Sequence, residues 1–243
     1  MYSFTSSLEA SRPFLTWQRV VDWAQAHYRD RSFHKDEPIP ARPGLLYLVE
    51  KGAVRMLGSA NISSGESHST EVAKSSDLVE NIEDTFLGFV GAGQPFEIVS
   101  QPPFTVQANA HIDETSIIWL YWHELDNWPH FRREVFEAFR YKHQRKLLWL
   151  STLGQRRTID RLLGFITLLI EEYGEPTENG YCLPYSLTHA QIGSAIGSTR
   201  VTVTRLMGKL RQAGLIAVGD DNLIYLPNVN LNQKKSSTST VLK

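Results

Sequence analysis

The stretch Leu187-Thr-His-Ala-Gln-Ile-Gly-Ser-Ala-Ile-Gly-Ser-Thr-Arg-Val-Thr-Val-Thr-Arg-Leu-Met-Gly-Lys-Leu-Arg-Gln-Ala-Gly-Leu-Ile216 predicts two short helices joined by a tight turn. Thr188 can cap the first helix, and Gln191 stands three residues on, where it completes a capping box. Gly197 ends this helix, because glycine readily adopts the left-handed conformation found after helix C-termini. The first helix is therefore expected between Thr188 and Gly197.

A second helix follows the turn directly. Ser198 or Thr199 caps its N-terminus, and the helix runs to about Ala213, where Gly214 stops it. Two helices with a short glycine-containing turn between them form a helix-turn-helix unit. In proteins that use this unit to bind DNA, the second helix enters the major groove.

The second helix has two unlike faces. Apolar side chains at spacings of three and four form the face that is expected to pack on a core: Val203, Leu206, Met207 and Leu210. The opposite face begins at the N-terminal end and carries Arg200, Val201, Thr204 and Arg205. Arginine reads guanine through O6 and N7, and valine or the threonine methyl group can contact the methyl group of thymine. This face is typical of a recognition helix.

The charge of this stretch differs from that of the whole chain, which has 25 lysines and arginines against 26 acids. No Asp or Glu occurs between Asn179 and Gly219, whereas the second helix carries four basic residues, Arg200, Arg205, Lys209 and Arg211. Phosphate contacts need a local basic face rather than a basic protein. The alternative is a solvated helix in a small helical subdomain. The caps, the turn glycine, the acid-free span and a following hairpin together favour DNA binding.

The flanking segments complete a predicted winged helix-turn-helix domain over residues 154–230. Residues 158–173 form an amphipathic helix, and residues 183–187 are expected to be a short strand. The apolar runs 215–218 and 223–226 are separated by Gly-Asp-Asp-Asn, which predicts a hairpin that serves as the wing. Residues 231–243 are polar and are expected to be a disordered tail.

Residues 1–126 predict a jelly roll or barrel. Short apolar segments alternate with turns that contain Pro or Gly, at roughly ten-residue spacing. Strands are expected at 45–49, 53–57, 86–90, 104–108 and 116–121, preceded by a helix over 16–28 that Thr16 caps and whose apolar stripe includes Tyr28. Glu50-Lys-Gly52 predicts a hairpin between the first two strands. Residues 58–84 carry six acids against one lysine, and a long flexible insertion is favoured there over a partner-binding loop.

The longest uninterrupted helical pattern runs from Phe131 to about Leu153, within a predicted dimerisation helix at 127–153. An apolar seam follows it at spacings of three or four: Phe136, Phe139, His143, Leu147 and Leu150. The seam predicts packing on a twin helix, since readers of pseudo-palindromic DNA are dimers. Packing on the β-roll is the alternative, and both hold if different faces are used.

These motifs resemble those of the CRP/FNR family of bacterial transcription regulators. The string Gly197-Ser-Thr-Arg-Val-Thr-Val-Thr-Arg-Leu206 is similar to that of the cyanobacterial NtcA-type regulators. The resemblance implies an α+β chain with a cyclic-nucleotide-binding-type β-roll, a long dimerisation helix and a C-terminal winged helix-turn-helix. It implies a cytoplasmic homodimer that binds double-stranded DNA and works with RNA polymerase.

The resemblance also implies which residues contact DNA. They are Thr188, His189, Ser198, Thr199, Arg200, Val201, Thr204, Arg205 and Lys209. Val201 stands where the cAMP-responsive members carry a glutamate. This departure implies a palindromic operator of the GTA…TAC kind.

The sensor half lacks the arginine with which cAMP-binding members hold the phosphate, because only Lys74 occurs between Arg55 and Arg132. A cyclic phosphate needs a cation or a nest of amides, so cAMP is not expected. Resemblance to the NtcA type implies 2-oxoglutarate or another small carbon metabolite, with candidate contacts at Phe96, Glu97, Ile98, Val99, Arg132 and Arg140. A core without any ligand is the alternative, which leaves open an effector-independent regulator or a partner-binding adaptor.

Several other classes of protein are not expected. No run of about 18 apolar residues predicts a membrane span, and no secretory signal is visible. The chain has a single cysteine, Cys182, which excludes an intrachain disulfide and an iron–sulfur centre held by several cysteines. Cys182 is expected to be buried, and a redox-sensing thiol is the less favoured alternative. The scattered His34, His68 and His111 do not predict a metal site or other cofactor. No acid/base set predicts an enzyme.

Overall fold

The computed structural model describes residues 17–60, 84–101, 103–219 and 221–227, which fall into two compact units, Met1–Leu147 and Leu148–Lys243. The described elements of the N-terminal unit begin with helix α1 (Trp17–Ala26) and strands β1 (Asp30–Phe33), β2 (Leu45–Lys51), β3 (Ala53–Ala60) and β4 (Thr85–Gly91). They continue with β5 (Pro95–Phe96), β6 (Ser100–Gln101), β7 (Phe104–Ala110), β8 (Thr115–Tyr121), a 3-10 helix (Trp122–Asn127) and the long helix α2 (Pro129–Leu153).

The strands of the N-terminal unit form two antiparallel sheets, with the orders β1-β8-β2-β5 and β4-β3-β7-β6 among the described residues. Side chains from both sheets meet in one buried cluster, which makes the unit a β-roll. The cluster contains Phe33, Ile39, Leu45, Tyr47, Val49, Val54, Val90, Phe96, Ile98, Ala108, Ala110 and Ile117.

A second buried cluster lies on the outer face of the first sheet. It joins α1, through Trp17, Val20, Val21 and Ala24, to Leu46 and Leu48 of β2 and to Phe131 and Val135 of α2. Strand β2 is therefore buried on both faces, which explains why its sequence is an unbroken apolar run rather than an alternating one. The α1 helix ends at Ala26, before Tyr28, which is 91% exposed and does not join the predicted stripe.

The predicted hairpin at residues 50–52 is wrong. Strand β2 pairs with β8 and β5, whereas β3 pairs with β4 and β7, so the chain passes from one sheet to the other at Gly52. Gly52 has a φ of +86°, and a Cβ there would lie 2.6 Å from Oγ1 of the buried Thr115. One glycine is too short for a hairpin loop, but it allows a sharp corner against Thr115.

Two other expectations fall largely outside the described residues. Residues 58–60 continue β3, while 61–83 and the tail at 231–243 are not described. The same holds for Thr16, the expected cap of the first helix.

The long helix α2 spans 25 residues and presents an apolar row to solvent. Phe136, Leu147 and Leu150 are 57%, 53% and 64% exposed, respectively. Phe139, which was expected in the same seam, instead packs against the second cluster, and its ring lies 5.7 Å from that of Trp122. Different faces of the helix therefore carry the roll contact and the exposed row.

The C-terminal unit contains, after the end of α2, helices α3 (Thr158–Tyr173), α4 (His189–Ile196) and α5 (Arg200–Gln212), and strands β9 (Glu175–Thr177), β10 (Gly180–Leu183), β11 (Ala217–Val218) and β12 (Ile224–Pro227). Its described strands form an antiparallel sheet in the order β9-β10-β12-β11. The α3 helix buries Leu162, Phe165, Ile166, Leu169 and Ile170. The predicted wing hairpin is thus present as β11 and β12.

The last turns of α2 pack on α3 within this unit. The rings of Trp149 and Phe165 meet edge to face at 5.2 Å. Gly164 lets the helices approach closely, because a Cβ there would lie 2.6 Å from Cγ2 of Thr152. None of the described helices is long and apolar enough to cross a membrane.

Candidate nucleic-acid interface

The first helix of the helix-turn-helix, α4, begins at the predicted capping box. The hydroxyl oxygen of Thr188 accepts a hydrogen bond from the backbone N–H of Gln191 at 3.2 Å, and Gln191 Oε1 accepts from the N–H of Thr188 at 2.9 Å. These bonds satisfy two backbone donors that a helix N-terminus leaves without partners. The cap fixes where α4 starts and places His189 at its first position.

Two glycines shape the turn after α4. Gly197 has a φ of +63°, the left-handed conformation predicted for it. Gly193 was not singled out from the sequence, yet a Cβ there would lie 2.7 Å from the carbonyl oxygen of Ser198. The backbone of the turn therefore passes over a residue that must lack a side chain. An otherwise unexplained glycine inside a predicted helix is the signal for such an approach.

The second helix, α5, begins at Thr199, whose hydroxyl oxygen accepts from the N–H of Thr202 at 3.2 Å. Its predicted core residues Val203, Leu206, Met207 and Leu210 are all buried. The opposite face is exposed and consists of Arg200, Val201, Thr204 and Arg205, with Val201 78% exposed. The helix therefore presents two arginines and two methyl-bearing side chains next to its N-terminus.

The positive charges of α5 favour the binding of a polyanion. Arg200, Arg205, Lys209 and Arg211 are exposed, and within the described part of the chain none of them forms an ion pair with a carboxylate. Lys209 and Arg211 occupy the last turn, where cations also interact favourably with the helix dipole. Arg200 and Arg205 lie nearer the N-terminus, so interaction with the helix dipole does not explain their positive charge.

One hydrogen-bond chain links the two helices. His189 Nδ1 on α4 lies 2.8 Å from Thr204 Oγ1 on α5, and that hydroxyl lies 3.0 Å from the carbonyl oxygen of Arg200. The remaining predicted contacts lie close in sequence to these groups: Thr188 and Thr199 are exposed caps, and Ser198 is half-buried in the turn. The helix-turn-helix thus brings all nine predicted DNA contacts onto α4, α5 and the turn between them.

The wing is braced by an acidic residue. The carboxylate of Asp221 accepts from the N–H of Leu223 at 3.0 Å and from the hydroxyl of Tyr225 at 3.1 Å. Hydrogen bonds with Cys182 and Asp221 raise the pKa of Tyr225 to about 12. Ile224 is buried, so the wing packs on the core of the unit.

Cys182 lies beneath the wing and is buried, as expected. Burial raises the pKa of its thiol, and the nearby Asp221 and Glu175 act in the same direction. A raised pKa disfavours the thiolate, which is the reactive form. The structure therefore does not favour the redox-sensing role.

The six predicted effector residues lie in different environments. Phe96 stacks on Tyr47 in the roll core with ring centroids 5.2 Å apart, and Ile98 is also buried, whereas Glu97 and Val99 are exposed. Arg132 pairs with Asp126, and Arg140 pairs with Glu137. None of the six lines the cavity of about 120 Å³ inside the roll, whose polar rim includes Arg31 and Arg42.

A different cation of α2 reaches strand β5, which holds Phe96. Lys142 Nζ donates to the carbonyl oxygen of Pro95 at 2.7 Å, and Lys146 Nζ, one turn on, donates to that of Leu87 at 2.6 Å. The spacing of four residues between the two lysines is the sequence signal that would have pointed to this face.

The described residues contain no group of three or more His, Cys, Asp or Glu side chains that could hold a metal ion. His34 and His111 therefore belong to no such group, and His68 lies outside the described residues.

A β-roll, a long helix and a winged helix-turn-helix with a basic exposed face on α5 together define the architecture of this chain. Residues 156–231 match the family model of the Crp-like helix-turn-helix domain. Residues 156–231 therefore form a Crp-like helix-turn-helix domain, and the relatives and solved structures that follow include proteins described as regulators.

Sequence relatives match part of the chain. The Global nitrogen regulator of Synechococcus elongatus is 39% identical over 89 residues, which cover 37% of this chain and 40% of the relative. The chain therefore aligns with about two fifths of the length of such relatives.

Solved structures share the fold over more of the chain. A cyclic nucleotide-binding domain containing protein from Listeria monocytogenes superposes with a TM-score of 0.65 at 12% identity, covering 86% of this chain and 96% of its own. A CRP family transcriptional regulator from Thermus thermophilus gives a TM-score of 0.57 at 19% identity, covering 82% and 92%.

Proposed function

We propose that this chain is a homodimeric, sequence-specific DNA-binding transcription regulator that recognises a palindromic operator of the GTA…TAC kind. The observation that carries the proposal is the exposed, acid-free face of α5, where Arg200 and Arg205 stand beside Val201 and Thr204. Phosphate contacts supply affinity, and the two arginines supply much of the specificity. Such a protein works in the cytoplasm, with RNA polymerase as a further partner that the resemblance implies.

Gel-shift titration tests this function. The specific duplex carries the half-sites GTA and TAC one helical turn apart, and the control duplex has the same composition with scrambled half-sites. We expect the specific duplex to stay bound at a salt concentration that releases the scrambled one, because nonspecific binding is mainly electrostatic. No shift at either of two salt concentrations would support a partner-binding adaptor instead.

Dimerisation is proposed through the exposed row on α2. Phe136, Leu147 and Leu150 are apolar side chains that a monomer leaves in water, and their burial against a twin helix is favourable. Sedimentation of Leu150→Glu should show a shift toward monomer. Gln144→Glu adds the same charge outside the row and should remain dimeric. Equal behaviour of the two variants would argue against this seam.

Regulation by a small carbon metabolite such as 2-oxoglutarate is a further part of the proposal. Lys142, at the Pro95 carbonyl, offers a cation beside residues 96–99, which the resemblance implies as effector contacts. Calorimetry with 2-oxoglutarate should detect binding that Lys142→Met weakens, while cAMP gives no heat of binding. An absence of binding by either compound would favour an effector-independent regulator.

A further inference from the structure

The hydroxyl group of Thr204 forms a hydrogen bond with one group on each helix of the helix-turn-helix. Its hydroxyl lies 3.0 Å from the carbonyl oxygen of Arg200 and 2.8 Å from Nδ1 of His189. A carbonyl oxygen only accepts, so the single hydroxyl proton goes to Arg200, and the hydroxyl must accept from the histidine. Both contacts are hydrogen bonds only when His189 Nδ1 carries a proton.

This arrangement limits what Thr204 can offer to a base. The hydroxyl has no proton left to donate, so it cannot donate to the major-groove acceptors of guanine, adenine or thymine. A helical threonine ordinarily divides between two side-chain rotamers. The bond to the Arg200 carbonyl selects one of them, and the bond from His189 holds the hydroxyl there and thereby fixes the direction of the methyl group. Thr204 is exposed on the same face as Arg200 and Arg205.

We propose that His189 is a positioning residue for operator reading. It locks the hydroxyl of Thr204, so that this side chain presents its methyl group and makes one position of each half-site select the methyl group of thymine. The inference rests on the proposed function, since it requires the exposed face of α5 to enter the major groove. His189 acts through Thr204 rather than through a base contact of its own.

A second role for His189 would have a different signature. An imidazole that only contacts phosphate contributes to binding of any duplex and to its salt dependence. It would not change the preference for one methyl group. Discrimination between thymine and uracil therefore separates the two roles.

The experiment uses the full-length protein and the GTA…TAC duplex. Each thymine is replaced in turn, symmetrically in both half-sites, by deoxyuridine, which removes only the methyl group. We expect one thymine position at which the wild-type protein loses affinity by about fourfold per half-site, the value of one buried methyl group. Thr204→Ser keeps the hydroxyl and removes the methyl group, and should bind both duplexes equally at that position.

His189→Ala should lower the thymine-to-uracil ratio toward one at the same position. His189→Asn should retain it, because the asparagine amide N–H can replace the Nδ1–H donor. His34→Ala is the matched control, since His34 directly follows strand β1 of the β-roll, outside the helix-turn-helix, and its side chain is 92% exposed. It should leave the Thr204-dependent position unchanged. Thermal unfolding of each variant verifies that it is folded.

The outcomes separate this inference from the proposed function. Operator preference with no uracil effect in the wild-type protein, or with an unchanged ratio in His189→Ala, overturns the role of His189. Equal weakening of His189→Ala on all duplexes identifies a phosphate contact instead. If the wild-type protein does not distinguish the operator from the scrambled duplex, the proposed function fails, and this inference fails with it.

Discussion

The ammonium group of Lys142 on the long helix donates a hydrogen bond to the carbonyl oxygen of Pro95, with Nζ and O 2.7 Å apart. The bond joins α2 to the β-roll at the segment where Phe96 enters the core. Because the donor is charged, its loss costs more than that of a neutral hydrogen bond.

Lys142→Met is therefore expected to lower the free energy of unfolding by about 1.5–3 kcal/mol. Urea denaturation followed by tryptophan fluorescence measures this change. Lys51→Met is the control, since Lys51 pairs with Glu114 on an exposed surface, where ion pairs contribute little, and it should change stability much less. Similar losses of stability in both variants would show that the contact of Lys142 with Pro95 contributes no more than an exposed ion pair.

The helix-turn-helix contains two glycines in helices that should respond in opposite directions to alanine. Gly193→Ala places a methyl group 2.7 Å from the carbonyl oxygen of Ser198, and the turn must move to accommodate it. We expect a loss of about 1–3 kcal/mol and weaker operator binding. Gly208→Ala meets no atom within 4 Å and should gain about 0.5–1 kcal/mol, as alanine does in helix interiors. Thermal unfolding of the two variants makes the comparison.

Arg200 and Arg211 lie at opposite ends of α5 and provide a matched pair for DNA binding. Arg200→Ala should weaken operator binding by about 1–3 kcal/mol while leaving the scrambled duplex nearly unaffected. Arg211→Ala should affect both duplexes alike, since Arg211 lies in the last turn of the helix. Titrations at one fixed salt concentration give both values. Equal weakening of the two duplexes by Arg200→Ala would assign Arg200 to phosphate.

The thiol of Cys182 should resist alkylation in the folded protein. Burial raises its pKa, so the thiolate fraction at pH 8 is below that of a free cysteine. Mass spectrometry after iodoacetamide should show slow labelling in buffer and rapid labelling in guanidinium chloride. The chain has one cysteine, so the label is unambiguous.

The same raised pKa has a consequence for stability. The thiol of the unfolded chain ionises above about pH 8.5, while that of the folded protein stays neutral. The stability that the neutral buried thiol contributes is therefore fully present below that pH. It is lost as the pH rises through the higher pKa of the folded state. Cys182→Ala should reduce this alkaline loss, and an identical pH profile for both proteins would contradict the assignment.

Much of the helix-turn-helix could be predicted because its signals are local. The cap of Thr188 by Gln191 spans three residues, and Gly197 adopts a left-handed conformation that the absence of a side chain permits. The buried and exposed faces of α5 follow from helical periodicity within one element. Each of these features depends on neighbours within about one helical turn, which a single sequence displays directly.

The β-roll depends on distant pairs, and there the sequence was less informative. Leu45 pairs with Tyr121, so no local pattern reveals that Gly52 turns the chain into another sheet instead of a hairpin. The prediction of a strand at 183–187 is wrong: the strand is β10, Gly180–Leu183, and it ends at Leu183 because the next residue is a proline and has no N–H for the ladder.

The contacts of individual side chains were also beyond sequence reasoning. Which cation of α2 meets the Pro95 carbonyl depends on the rotation of the helix against the roll. His189 and Thr204 are 15 residues apart on different helices, and only the packing of α4 on α5 joins them.

The brace at Asp221 has a consequence for how much of the duplex is covered. Asp221 places a carboxylate in the turn of the wing, and this charge repels the phosphodiester backbone. Hydroxyl-radical cleavage should accordingly show protection confined to the grooves occupied by α5 and to the sugars beside them. The DNA on either side would remain accessible, which leaves room for a second protein to bind directly next to the operator.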